Sequence, residues 1–136
     1  NDDQMSNVAL VGVGNLGSAL LKYKFHQSNS IRISAAFDVN KDIIGRILDG
    51  IPVYPLEDMA EQIRLQEIDI AILTVPAEHS QPIVDELVRA GIKGILNFTP
   101  ARLHAPKQVL IQNVDLTNEL QTLIYFLHSN ANVEAE

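Results

Sequence analysis

The sequence has no cysteine, few basic residues and no long hydrophobic run, and each absence excludes a class of function. Without cysteine the chain cannot form disulfides, zinc ribbons or a reactive thiol, so any redox role must depend on a bound cofactor. Ten Lys and Arg residues stand against seventeen Asp and Glu, which gives a formal net charge of −7. The basic residues are scattered, so the chain alone is not expected to bind nucleic acid, which requires a basic face.

The apolar runs are all shorter than the ~20 residues that cross a bilayer, and the N-terminus has no signal-peptide pattern. We therefore expect a cytoplasmic location and no membrane contact. The 136 residues are enough for one domain. Residues 1–6 are polar and begin at Asn1 rather than at methionine, which we interpret as the remnant of a linker in a longer protein.

Short runs rich in Val, Ile and Ala alternate with amphipathic stretches, which is typical of βαβ units in a parallel sheet. Their nearly unbroken apolar character predicts strands that are covered on both faces. The predicted strands span 7–13, 31–37, 51–54, 68–75, 94–98 and 109–114. The predicted fold class is therefore α/β, a Rossmann-type doubly wound parallel sheet that occupies residues 7–115.

Three stripes of apolar residues at helical spacing predict helices between the strands. Gly91 follows the third stripe and is a suitable C-terminal cap. In chain order the stripes consist of Leu16, Ala19, Leu20 and Tyr23; of Met59, Ala60 and Ile63; and of Ile83, Leu87 and Ala90.

A glycine-rich turn between the first strand and the first helix is the strongest functional signal. Its spacing, GxGxxG, is that of dinucleotide-binding folds, in which the glycines permit a tight turn, the approach of a pyrophosphate and close packing of helix on strand. Backbone N–H groups at the positive end of the helix would hold the pyrophosphate, with Asn15 and Leu16 as donors. A tight turn without a ligand is the alternative. The predicted contacts are Gly12, Val13, Gly14, Asn15, Leu16 and Gly17.

Asp38 stands 21 residues after Gly17, at the end of the next predicted strand, where this fold binds the adenosine ribose. A carboxylate accepts hydrogen bonds from ribose hydroxyls but repels a 2′-phosphate. At ~4 Å and an effective dielectric constant near 20, one like-charge pair costs about 4 kcal/mol. We therefore predict NAD(H) rather than NADP(H), with Val39 and Lys41 beside Asp38 and Lys41 weakening the repulsion. The alternative for Asp38 is a turn-forming role.

Ligands of open α/β sheets lie across the carboxyl ends of the strands. This rule places two further groups on the path toward the nicotinamide: Thr74, Val75 and Pro76 at the end of one strand, and Asn97 and Phe98 at the end of the next. Ordinary loop roles are the alternative for each of them.

No catalytic group is evident, because the predicted cofactor domain fills nearly the whole chain and leaves no room for a substrate domain. The four histidines, His26, His79, His104 and His128, are far apart and lack metal-ligand spacing. Only His79 follows a strand at the ligand-facing edge. The sequence therefore predicts a binding domain, with neither an enzyme activity nor a metal site.

A last helix, predicted over 116–128, carries one apolar stripe. Each of these side chains contributes roughly 1.5–3 kcal/mol when buried, and an isolated helix of this length is marginal. The helix must therefore dock, either on its own sheet or on a partner's. The polar residues 129–136 are predicted to form a flexible tail. The stripe consists of Leu116, Leu120, Leu123, Ile124 and Leu127.

Three segments, NVALVGVGNLGSALLKY, AAFDVN and NVDLTNELQTLIYFL, together resemble the Rex family of redox-sensing transcriptional repressors. The likeness runs from about residue 7 to residue 128, and the last helix makes it specific. The resemblance implies an NAD(H)-binding homodimer that responds to the NADH/NAD⁺ ratio, with the C-terminal helix crossing to the partner. It also implies an N-terminal winged-helix domain that binds operator DNA, and this sequence lacks that domain.

The resemblance further implies that Tyr23 and Asp115 form a switch, pairing across the dimer in one redox state and separating in the other. The residues alone predict that Tyr23 faces the core and that Asp115 caps the last helix. Two other functions stay open. One is the cofactor domain of an NAD-dependent dehydrogenase, and the other is a coenzyme A-binding domain, which prefers a 3′-phosphorylated nucleotide.

Overall fold

The structure is a computed structural model that describes residues 5–23 and 30–135, the side chains of 130–135 excepted. Within these residues, strands alternate with helices around a single sheet. A 3-10 turn, Leu56–Asp58, joins β4 to α2. In chain order the elements are β1 (Ser6–Val11), α1 (Asn15–Lys22), β2 (Ile31–Asp38), β3 (Ile47–Leu48), β4 (Ile51–Pro55), α2 (Met59–Leu65), β5 (Ile68–Leu73), α3 (Ala77–Ala90), β6 (Gly94–Asn97), β7 (Leu110–Asn113) and α4 (Leu116–Ala135).

The strands stand in the order β3-β4-β2-β1-β5-β6-β7. All neighbouring strands are parallel except β3 and β4, which form an antiparallel hairpin. The chain proceeds outward from β1 in both directions, so the order reverses there and opens a crevice at the carboxyl ends of the central strands. The predicted α/β Rossmann-type fold is confirmed, and the six predicted strands are present with ends within two residues of the prediction.

Two hydrophobic cores cover the two faces of the sheet, as a doubly wound fold requires. Successive residues of β1 belong to opposite cores, because side chains alternate along a strand. α2 and α3 pack on the first face with the predicted stripes, and Gly91 ends α3 with a φ of 102°. α1 packs on the second face. The buried apolar side chains of the helices are Met59, Ile63, Ile83, Val84, Leu87 and Ala90 on the first face and Leu21 on the second.

α1 turns a different side toward the sheet from the one that the sequence predicted. Its buried residues are Gly17 and Leu21, whereas Tyr23 is 66% exposed. A Cβ on Gly17 would collide with the carbonyl oxygen of Gly12, so the helix lies against the turn along its glycine. The apolar pattern missed this side because its most closely packed position has no side chain. The expectation that Tyr23 faces the core is therefore wrong.

The β3–β4 hairpin was not predicted from the sequence, apart from the single strand at 51–54. It turns through Asp49 and Gly50, whose φ angles are 51° and 81°. Positive φ at both central residues is typical of a tight hairpin turn, and Asp-Gly is a favoured pair for it.

α4 begins at Leu116 as predicted but continues to Ala135, so residues 129–135 are helical where a flexible tail was predicted from residue 129 onward. Once a helix is nucleated, each further residue extends it at little cost, and alanine and glutamate are good helix formers. The predicted stripe does not dock on the sheet of its own chain, because its five side chains are 42–57% exposed. In the part of the chain that the structure describes, no helix combines the length and the apolar character that spanning a membrane requires.

Candidate functional site

A cavity of about 830 Å³ lies at the carboxyl ends of β1, β2 and β5. Eight of the predicted cofactor contacts line it: Gly12, Val13, Gly14, Asp38, Val39, Thr74, Val75 and Pro76. The rest of the wall was not predicted from the sequence, and it consists of Val11, Phe37, Leu56, His79, Pro82, Ile83 and Glu86.

The glycine turn is fastened to the strands on both sides of β1. Gly12 has a φ of 98°, and a Cβ there would lie 2.9 Å from Oγ1 of Thr74. Its N–H donates to the carbonyl of Phe37 at 2.9 Å, and its own carbonyl accepts from the Thr74 hydroxyl at 2.6 Å. Both the positive φ and this close approach require glycine. The turn is thus rigidly positioned at the mouth of the cavity.

Gly14 is the open position of the turn. A Cβ there would meet nothing within 4 Å, and the residue precedes α1 without a side-chain cap. Asn15 and Leu16 lie in the first turn of α1, and neither they nor the buried Gly17 are among the residues that line the cavity. An anion beside Gly14 would meet the positive end of the helix dipole.

Asp38 joins the glycine turn to the end of β2. Its Oδ2 accepts a hydrogen bond from the N–H of Val13 at 2.6 Å, and its Oδ1 accepts from Val39 at 2.7 Å and from Asn40 at 2.9 Å. The turn-forming alternative for Asp38 is therefore present in the structure. The same carboxyl lines the cavity, so the two roles are compatible in one side chain.

A second cavity of about 760 Å³ continues the first beyond Asp38. The two cavities share Asp38, Val39, Leu56 and Glu86, so they form one trough that runs outward from the glycine turn. Lys41 lines the second cavity rather than the first. Its other lining residues are Ile44, Pro55 and Glu57.

One side of α3 forms a wall of the trough that the sequence analysis missed. His79, Pro82, Ile83 and Glu86 all line the first cavity. They follow i, i+3, i+4, i+7 spacing, which places them on one face of a helix. This spacing is visible in the sequence, but His79 and Glu86 are polar and were therefore not counted in the apolar stripe of the helix.

The structure does not bring Asn97 and Phe98 into this cavity. Asn97 is 1% exposed and fastens the ends of two strands, because its Nδ2 donates to Oδ1 of Asn113 at 2.9 Å. Its Oδ1 accepts from both the N–H and the hydroxyl of Thr99, at 2.9 and 2.8 Å. An amide engaged in this way supports the loop that leads toward α4.

Phe98 lines a third cavity, of about 430 Å³, together with Asp115 and Leu116 at the start of α4. Asp115 accepts a hydrogen bond from the N–H of Asn118 at 3.0 Å, which is the N-cap arrangement expected from the residues alone. Tyr23 lies at the end of α1, on the exposed surface.

Three of the four histidines can be placed. His79 lines the first cavity, while the backbone N–H and carbonyl of His104 are hydrogen bonded to the side chain of Gln81. His128 is exposed on α4, and His26 lies outside the described residues. Over 5–23 and 30–135, no three His, Asp or Glu side chains are grouped in a way that could hold a metal ion.

Taken together, the trough offers an open glycine at a helix N-terminus, a carboxyl at the end of the neighbouring strand and mostly apolar walls. This combination suits a long ligand that has a charged phosphate centre and flat rings on either side.

The sequence profile of the CoA binding domain family matches residues 3–101. Among curated proteins, the redox-sensing transcriptional repressor Rex 1 of Enterococcus faecalis is 76% identical over 128 residues, which are 94% of this chain and 59% of that protein. The repressor Rex of Ligilactobacillus salivarius is 63% identical over 134 residues, or 98% of this chain and 63% of that protein. The chain thus spans about 60% of the length of these relatives.

Among solved structures, RSP, a Rex-family repressor, superposes with a TM-score of 0.89 at 34% identity, covering 98% of this chain and 64% of RSP. RSP has also been solved in complex with beta-NADH, with a TM-score of 0.88, and in complex with beta-NAD⁺ and operator DNA, with a TM-score of 0.86.

Proposed function

The chain belongs to the CoA binding domain family and to the Rex family of repressors, and from this premise we propose that it is the NAD(H)-binding sensor and dimerisation part of a redox-sensing transcriptional repressor. The observation that carries the proposal is the trough with the glycine turn at its centre and Asp38 beside it. A 76% identical relative is named a redox-sensing repressor, and a 34% identical one has been solved with beta-NADH and with beta-NAD⁺.

In the proposed complex, the pyrophosphate lies against Gly14 and the first amides of α1. The adenosine extends past Asp38 into the second cavity, as the fold rule for the ribose requires. The nicotinamide extends the other way, past Thr74, Val75 and Pro76. In this arrangement the pyrophosphate lies at the positive end of α1, the ribose hydroxyls lie beside a carboxylate and the nicotinamide lies beside a mostly apolar loop.

A sensor must bind the two redox states of the cofactor with different affinity, since a ligand shifts a two-state protein only by its differential affinity. NAD⁺ and NADH differ in the charge and planarity of the nicotinamide ring. An apolar wall favours the neutral, reduced ring, and the 74–76 loop supplies such a wall. Phe98 of the same chain does not form part of this wall, because it lines a different cavity, and we propose that Leu116 of the partner subunit reaches the ring.

We propose that α4 exchanges between the subunits of a homodimer. Its leucine and isoleucine stripe is exposed in the single chain, together with Tyr125 and Phe126, whose rings lie 5.5 Å apart. Seven large apolar side chains on one helix are too many for a surface that stays in water. Their burial against a second copy would contribute roughly 1.5–3 kcal/mol for each fully covered side chain.

The Tyr23–Asp115 switch is proposed on the same basis. Asp115 caps the start of α4 and Tyr23 ends α1, and both side chains are at the exposed surface where a partner subunit can reach them. A carboxylate and a phenol pair through one hydrogen bond, so a small movement of α4 is enough to make or break it. Operator DNA would be bound by a winged-helix domain elsewhere in the whole protein, and we propose a cytoplasmic location without an enzyme activity.

Calorimetric titration of NADH and NAD⁺ tests the sensor proposal. We expect both to bind, with NADH the tighter, and an affinity for NADH no greater than for NAD⁺ contradicts it. A CoA-binding domain is the second candidate, favoured by the family profile that matches residues 3–101. A thermal-shift panel of NADH, NADPH and CoA separates the two, because only the second candidate predicts that CoA stabilises the chain most.

A further inference from the structure

An acidic wall beside the proposed ribose position is not used by the function proposed above. The second cavity is lined by three carboxylates, Asp38, Glu57 and Glu86, and by one ammonium, Lys41. It shares Asp38 and Glu86 with the cavity at the glycine turn. Because the fold places the adenosine ribose at the end of β2, the 2′ and 3′ hydroxyls of a bound dinucleotide would lie where the two cavities meet.

Asp38 supplies only part of the negative charge that a ribose phosphate would meet there. Three backbone N–H groups already donate to its two oxygens, at 2.6, 2.7 and 2.9 Å. The dipoles of these N–H groups point at the carboxylate and offset part of its negative potential. A second carboxylate near Asp38 would therefore add to the repulsion of a ribose phosphate.

Glu86 is a carboxylate that lacks such compensation and is not fully exposed. It is half-buried on α3 and lines both cavities. Within the described parts of the chain, its side chain forms no hydrogen bond and no ion pair. Glu57 and Lys41, by contrast, are exposed, so water and salt screen their charges more strongly.

We infer that Glu86, together with Asp38, determines specificity by excluding nucleotides that carry a phosphate on the adenosine ribose. The inference rests on the proposed NAD(H) site. It applies equally to the 2′-phosphate of NADP(H) and to the 3′-phosphate of CoA, since each adds negative charge where the two cavities meet. NADH has free hydroxyls at both positions, and hydroxyls donate hydrogen bonds to carboxylates. This member of the CoA binding domain family is therefore a poor CoA binder.

The variant Glu86→Gln tests the inference, because it removes the charge and keeps the shape of the side chain. We expect the ratio of NADPH to NADH affinity, and that of CoA to NADH, to rise about three- to tenfold in calorimetric titrations at low salt. In 1 M salt the rise should be smaller, because the screening length falls to about 3 Å. The matched control is Glu78→Gln, an exposed glutamate on the same helix outside both cavities, which should leave both ratios unchanged.

The outcomes separate this inference from the proposed function. If NADH binds and both ratios are unchanged in Glu86→Gln, the inference is overturned while the NAD(H) site stands. An equal loss of affinity for all three nucleotides also overturns it, because Glu86 then contacts the adenosine that they share. If the unaltered chain binds no NADH, the proposed function itself fails. Thermal unfolding shows whether each variant is folded. In a second variant, Glu86→Lys, the ratios of NADPH to NADH affinity and of CoA to NADH affinity should rise further than in Glu86→Gln.

Discussion

Two glycines of the same turn should differ in how much an alanine lowers the stability of the fold. Gly17 packs against the carbonyl of Gly12, and a Cβ at Gly17 would also lie 3.1 Å from Oγ1 of Thr74. Gly17→Ala must therefore push α1 away from the turn. Overpacking costs about 1–3 kcal/mol, and we expect the upper end, about 3 kcal/mol, because a backbone carbonyl has no rotamer through which to yield. For a chain of this length the melting temperature should fall by about 10 °C.

Gly14→Ala is the matched partner of that variant. The φ of Gly14 is −84°, which any residue adopts, and an added Cβ would meet open space. The free energy of unfolding should therefore change by less than about 1 kcal/mol, the loss of a favoured N-cap residue being the main term. A methyl group at this position would occupy the space that the pyrophosphate needs. One added methyl in a tight site weakens binding by about 10- to 200-fold, and we expect NADH affinity to fall by at least tenfold.

Urea denaturation measures the stability of both variants, and calorimetric titration with NADH measures their affinity. The expected result is a stable Gly14→Ala that binds poorly and an unstable Gly17→Ala that binds poorly because its turn is displaced. Unaltered NADH affinity in Gly14→Ala would refute the placement of the pyrophosphate. Unaltered stability in Gly17→Ala would refute the close packing of α1 on the turn.

Two further predictions concern the far end of the sheet and α4. Asn97→Ala removes the amide that binds Thr99 and the exposed Asn113. It leaves the buried N–H and hydroxyl of Thr99 without that acceptor and should destabilise the fold by about 2–3 kcal/mol in urea denaturation; a change under about 0.5 kcal/mol contradicts this. Leu123→Arg places a charge in the apolar stripe of α4 and should shift the chain from dimer to monomer in sedimentation analysis. The control Gln121→Arg lies outside the stripe and should leave the dimer intact. Equal dimerisation of both variants would contradict the exchange of α4 between subunits.

The central fold was predictable because its signals are local. Strands buried on both faces appear as unbroken apolar runs, and the GxGxxG spacing marks the turn between the end of β1 and the start of α1. The packed side of α1 was not predictable from apolar residues, because its closest contact is made by Gly17, which has no side chain to count. The β3–β4 hairpin was missed although Asp49 and Gly50 form a favourable turn pair, because a two-residue strand has too little alternation to be noticed.

The candidate site was predictable where it follows a topological rule and not where it depends on packing. The predicted contacts at the ends of β2 and β5 line the trough, and so do Gly12, Val13 and Gly14 of the glycine turn, whereas Asn15, Leu16 and Gly17 do not. Asn97 obeys the same rule in sequence, since it ends β6, yet its buried amide is hydrogen bonded to Thr99 and to Asn113 of the next strand. The direction of a side chain at the end of a strand depends on its neighbours in the next strand. Because twelve residues without regular structure separate β6 from β7, the sequence does not indicate which residue lies beside Asn97.

The difference between the trough and α4 reflects how each is stabilised. The glycine turn is fixed by contacts within the chain, through hydrogen bonds to Phe37, Thr74 and Asp38, so it is complete in a single copy. The apolar stripe of α4 has no such contacts and is exposed along its length. The sequence left two alternatives for α4, which were docking on the sheet of its own chain and docking on a partner's sheet. The exposure of the apolar stripe favours docking on a partner. If α4 associates with a second copy as proposed, its stability comes from that contact, and the oligomeric state is then coupled to the position of α4.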